Sequence, residues 1–128
     1  MKISFALPDD QTAPAMARRV VRQALAELGI TADLVDDAVL AVSELVTNAV
    51  EHGGGPDRLE LDHDSEQFTL SVFDRSTAPP EQRTPEPTAA RSRGLLLVQA
   101  VATQWGSDPD GRGKGVWARF ALRSRVET

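Results

Sequence analysis

The sequence predicts an α+β domain, a two-layer sandwich in which one mixed, mainly antiparallel sheet is backed by helices. Two stretches, roughly residues 13–28 and 31–52, repeat apolar side chains at helical spacing. Leu59 and Leu61, then Phe68, Leu70 and Val72, alternate with polar residues as half-buried strands do. A glycine-rich turn and an apolar stretch, Val116-Trp117-Ala118-Arg119-Phe120-Ala121-Leu122, close the chain as a further strand.

In order, Ile3, Phe5 and Leu7 alternate ahead of Pro8, which ends a first strand. Asp9, Asp10 and Thr12 offer caps, and Pro14 suits the first turn of a helix running to about Leu28. Met16, Val20, Ala24 and Leu28 are expected on its inner face, with Gly29 as C-terminal cap. Arg18, Arg19 and Arg22 lie outward, as a solvated face or a docking patch. Thr31 caps a second helix, Asp33 sits at its positive end, and the run Gly53-Gly54-Gly55-Pro56 stops it after Glu51. A hairpin turns at residues 64–67 and ends in Val72-Phe73-Asp74; His63, on its first strand, is expected at the surface. Residues 75–93 hold four of the eight prolines and almost no large apolar side chain, the composition of a mobile loop or lid. Gly94 then opens a short apolar helix ending near Ala102, residues 103–107 form a strand, and residues 108–115 a turn. The order is β-α-α-β-β-lid-α-β-β in a single domain over residues 1–128. Trp105 and Trp117 are assigned to packing.

Composition bounds the chemistry. At 128 residues, with 41% hydrophobic and 26% charged side chains, the chain can bury a core without staples. It has no cysteine, which excludes disulfides, thiolate metal sites and a thiol nucleophile. No apolar run approaches the ~20 residues that span a bilayer, and MKISFALPDD turns acidic too soon for a signal peptide. A cytoplasmic protein with no membrane partner is expected. The net charge of −5 argues against generic nucleic-acid binding. Residues 1–90 carry −9 and residues 91–128 carry +4, so the C-terminal third offers either an anion-binding surface or arginines decorating its last strand.

Three features carry candidate chemistry. Residues 38–55, AVLAVSELVTNAVEHGGG, project Glu44 and Asn48 together, four residues apart, from a helix whose apolar face is Leu34, Val35, Ala38, Val42, Leu45, Val46 and Ala49. His52 falls one turn further on. Asp74 stands at a strand end, where a carboxylate can accept a hydrogen bond from an adenine amino group. Arg93-Gly94-Leu95 opens a helix, and such an N-terminus offers free N–H groups and a positive dipole to phosphates. An Asn oxygen can ligate Mg²⁺, and a Glu one turn earlier can take a proton from a nucleophile attacking a γ-phosphate. Any amphipathic helix has a polar strip, so these features gain meaning only together.

Taken in order, SELVTNAVEHGGG, SVFDRSTAPP, SRGLLLVQAVATQWG and GKGVWARF resemble the N-box, the two glycine boxes and the closing strand of the histidine-kinase-like (Bergerat-fold) ATPases. Within that family the chain is similar to the small bacterial anti-sigma-factor serine/threonine kinases, over nearly its whole length. The resemblance implies Glu44 as general base and Asn48 as Mg²⁺ ligand. It implies His52 at phosphate or as a helix cap, Asp74 at adenine, Ser76 in the turn beyond it, and Arg93, Gly94 and Leu95 at phosphate. It further implies ATP and Mg²⁺ as cofactors, ADP as product, an anti-anti-sigma protein and a sigma factor as partners, and homodimers among its relatives.

The pattern also departs from the family. Asp74-Arg75-Ser76-Thr77-Ala78 stands where active relatives have Asp-x-Gly-x-Gly, Ser92 replaces a frequent glycine, and Val116 a frequent threonine. Two functions stay open: a kinase of an anti-anti-sigma protein, and a catalytically weak or inactive module acting by stoichiometric sequestration. An ATPase module of a histidine kinase ranks below both, since the chain carries no dimerisation helices or phosphoacceptor domain.

Overall fold

A computed structural model describes residues 1–52, 54–75, 96–110 and 113–122, with the side chains of His52 and Asp110 excepted. Its elements are β1 (Lys2–Ala6), α1 (Ala13–Glu27), α2 (Ala32–His52), β2 (Pro56–His63), β3 (Gln67–Asp74), a helical segment at residues 96–101, β4 (Gln104–Asp110) and β5 (Gly113–Ala121). The strands form one sheet in the order β1-β2-β3-β5-β4, and each pairing is antiparallel. This is the α+β sandwich that the alternation of patterns predicts.

Strand alternation sorts the sheet into two faces. Leu59, Leu61, Phe68, Leu70, Val72, Ala118 and Phe120 are buried on the face toward the helices. Phe68 stacks on Phe120, its cross-strand partner, with ring centroids 5.0 Å apart. On the opposite face the Arg58 guanidinium lies 3.9 Å from the centre of the Phe73 ring. Trp117 occupies that face too, its Nε1 donating to Asp108 at 3.0 Å. Trp105 packs against the core instead.

Helix α2 covers β2, β3 and β5, and α1 packs alongside it. Val35, Ala38, Val42, Leu45, Val46 and Ala49 of α2 are buried as its periodicity predicts, joined by Val39 and Ala41. On α1 the face is shifted. Ala13, Ala17, Val21 and Leu25 are the buried residues, whereas Met16, Val20 and Ala24 flank them and Leu28 is exposed. Small residues line the buried stripe because a neighbouring helix must approach closely, which hydrophobicity alone does not signal. Arg22 pairs with Asp36 at 3.2 Å, and Arg18 donates to Ser43 at 2.9 Å, so two of the outward arginines tie α1 to α2.

Two further local expectations change. β4 extends through Pro109 to Asp110, beyond the expected strand at 103–107, because it is a sheet edge and a proline there costs no internal ladder bond. His63 is half-buried, with a buried Nε2 that has no hydrogen-bond partner among the described residues. It continues the inward alternation of Leu59 and Leu61, which outweighs its acidic neighbours.

Candidate functional site

The connection from α2 to β2 brings the polar strip to the sheet. Helix α2 ends at His52, and after only three intervening residues Pro56 pairs with Asp74 across β2 and β3. Gly54 and Gly55 make that reversal with φ of 79° and 101°, a left-handed conformation that L side chains resist. The Gly55 amide donates back to the Ala49 carbonyl at 3.0 Å, closing the helix end. The last turns of α2, which carry Asn48, therefore lie at the same end of the sheet as Asp74. Glu44, one turn earlier, and Asn48 are both half-buried.

Asp74 is the last residue of β3 and continues the inward series Phe68, Leu70, Val72. It is 6% exposed, and directly opposite it on β5 stands Lys114, 8% exposed. The Lys114 ammonium lies 2.9 Å from Asp74 Oδ2 and 3.2 Å from Oδ1. The two are the only buried charged side chains among the described residues. Pairing removes the cost of an isolated buried charge. Sequence reasoning missed Lys114, although a signal existed: it lies in step with Val116, Ala118 and Phe120, so an inward lysine follows from the same alternation.

Arg75, the next residue, bridges the loop after β1 and the start of β2 at this end of the sheet. Its guanidinium is 3.4 Å from Asp9, which follows β1, and 3.5 Å from Asp57 at the start of β2. These contacts hold the chain just before residue 76 against both segments.

His52 belongs to the final turn of α2, but its side chain lies outside the described part. Ser76, Arg93, Gly94 and Leu95, and nearly all of the lid expected at 75–93, also lie outside the described residues. Of the basic residues in the C-terminal third, Lys114 holds Asp74 and Arg119 engages Thr69, Gln104 and Trp117. No group of three or more His, Cys, Asp or Glu could hold a metal among the described residues. A hard ion at Asn48 would accordingly take most of its ligands from phosphates and water, the usual habit of Mg²⁺. Among the described residues no helix is long and apolar enough to cross a membrane.

The histidine kinase-like ATPase domain family matches residues 7–120. An anti-sigma F factor of Clostridium beijerinckii (strain ATCC 51743 / NCIMB 8052) is 33% identical over 79 residues, 58% of this chain and 55% of that protein, so the match spans about half the relative's length. Among solved structures, the RsbU and RsbW domains of Rv1364c from Mycobacterium tuberculosis are similar with a TM-score of 0.72 and 23% identity, over 100% of this chain and 35% of that one. The SiaB–SiaC complex of Pseudomonas aeruginosa is similar with a TM-score of 0.61 and 12% identity, over 94% of this chain and 89% of that one. At such identities these two likenesses are of fold. The family match covers most of the sequence, and the chain belongs to the histidine kinase-like ATPases.

Proposed function

We propose that this ATPase-family chain is an ATP-dependent serine/threonine protein kinase that also acts as an anti-sigma factor. It binds ATP with Mg²⁺ and phosphorylates an anti-anti-sigma protein. When that partner is unavailable it sequesters a sigma factor. The observation that carries the reading is that the Asn48 end of α2 and the buried Asp74 lie at the same end of the sheet, brought there by the Pro56–Asp74 pairing. The 33% identity to an anti-sigma F factor supports the choice of partners.

In this reading Asn48 holds Mg²⁺ through its carboxamide oxygen, and the ion, when bound, neutralises phosphate charge during transfer. Glu44, one helical turn before Asn48, takes the proton of the attacking hydroxyl. Asp74 accepts from the amino group of the base. Gly94 and Leu95 supply backbone N–H groups to phosphate, Arg93 supplies a cation, Ser76 shapes the turn after Arg75, and His52 contacts phosphate or caps α2. The site acts mainly by positioning, as phosphoryl transfer requires. A cytoplasmic location and a homodimer complete the proposal.

One observation favours a second reading. Ser76 and Ala78 stand where active relatives carry glycine, which suits a module that keeps the fold and sequesters partners without turnover. Calorimetry with ATP and Mg²⁺, followed by a transfer assay on the cognate partner, separates the two. Transfer that falls in Glu44→Gln, together with nucleotide binding that loses its Mg²⁺ dependence in Asn48→Ala, supports the kinase. Absence of binding at millimolar nucleotide would falsify it, and binding without transfer leaves the module.

A further inference from the structure

Asp74 and Lys114 form the rung at which the inward-facing apolar pairs of β3 and β5 give way to charge. The preceding pairs on this face are Phe68 with Phe120, Leu70 with Ala118 and Val72 with Val116. A valine or leucine pair at the next rung would continue the core at lower desolvation cost, so stability alone does not account for two buried charges here.

The strands approach closely around this rung. A Cβ on Gly113 would lie 1.8 Å from the Asp74 carbonyl oxygen, and one on Gly115 would lie 2.7 Å from the Phe73 ring. Lys114 is thus bracketed by two positions that tolerate no side chain, which fixes its backbone against β3. Its ammonium is held beside the carboxylate rather than left to wander.

A carboxylate beside an ammonium presents an acceptor and a donor side by side. A carboxamide uses the same pattern to read two adjacent atoms on an adenine edge. The ammonium has three donors, so Lys114 keeps capacity for a ligand while bonded to Asp74.

We propose that Lys114 is a specificity-determining residue of the nucleotide site, donating to adenine N1 while Asp74 accepts from the neighbouring amino group. This rests on the assignment of Asp74 to the base. The pair then reads both atoms of the base edge, where a lone aspartate would read only the amino group. It also gives Lys114 a role that a purely structural ion pair lacks.

The test is a calorimetric titration of the full chain with ATP–Mg²⁺ and with 1-deaza-ATP–Mg²⁺, which keeps the amino group but replaces N1 by C–H. The wild type should bind 1-deaza-ATP roughly tenfold or more weakly, the range of a hydrogen bond to a charged group. Lys114→Met should lose a similar factor for ATP and bind the two nucleotides alike; Lys114→Arg should restore part of the preference. Should Lys114→Met not fold, Asp74→Asn/Lys114→Met leaves no buried charge and retains an acceptor for the amino group, and it too should bind both alike. Equal affinity of the wild type for the two nucleotides overturns the proposal. So does a 1-deaza penalty that persists undiminished in the variants, since a water would then serve N1, and so does tighter ATP binding by Lys114→Met. In each of those cases ATP still binds. A wild type that binds neither nucleotide overturns the nucleotide site and this inference with it.

Discussion

Gly55 lies directly beneath the carboxylate of Asp9: a Cβ built on it would stand 2.0 Å from Asp9 Oδ1. Asp9 is in turn bridged by Arg75, so the turn after α2, the loop after β1 and the end of β3 meet at one point. Gly55→Ala should destabilise the fold by about 1–3 kcal/mol, the range for strained left-handed residues. Gly29 has φ of 78° but open space around it, so Gly29→Ala carries the backbone penalty without the clash. Urea unfolding should rank Gly55→Ala as the more damaging of the two.

The stacked Phe68–Phe120 pair joins the central strands, and both rings are fully buried. Phe120→Ala should cost about 3–5 kcal/mol, the lost transfer of a ring plus the cavity left behind. Equilibrium denaturation checks this, and a loss below 1 kcal/mol on the same scale would mean that the strands repack.

Asp64 accepts hydrogen bonds from the amides of Glu66 and Gln67, at 2.7 and 3.0 Å. These bonds, the Glu66 one foremost, hold its carboxyl below the ordinary value of 3.8. The folded state therefore favours the ionised form. The stabilisation is present above the unfolded value and fades as pH falls through the lower, folded one. Melting temperatures should show Asp64→Ala less stable than wild type at neutral pH, with the gap closing below about pH 4. A gap that stays constant into acid would show that the turn does not depend on ionised Asp64.

Glu44 and Asn48 should separate chemistry from binding. Glu44→Gln is expected to lower phosphate transfer by about 10²–10⁴-fold, the usual contribution of a general base, while ATP affinity is kept. Asn48→Ala should remove the Mg²⁺ dependence of nucleotide binding. Single-turnover transfer and calorimetry with and without Mg²⁺ measure the two effects. An undiminished rate in Glu44→Gln would assign proton removal to another group.

Arg22 and Asp36 pair across α1 and α2 with both side chains more than half exposed. Such pairs contribute about 0.2–1 kcal/mol and are screened by salt. Arg22→Ala should therefore change stability little, and less still at high ionic strength. A larger loss in urea unfolding would show that the arginine stem packs between the helices.

What the sequence determined by itself is local and periodic. The apolar stripe of α2, the Glu44–Asn48 spacing, the glycine reversal and the alternation of β2 and β3 are each set by neighbours a few residues away. So was the family, through motifs standing in order along the chain. The tertiary structure decided what depends on distant partners. Helix α1 buries Val21 and Leu25 rather than Leu28 because the stripe that α2 can approach is the one lined by Ala13 and Ala17. Pro109 sits in a strand because β4 is an edge. Lys114 meets Asp74 because the β3–β5 register, forty residues across the chain, puts them on one rung. Hydrophobic periodicity says that a side chain points inward; only the pairing of strands says which charge it will meet there.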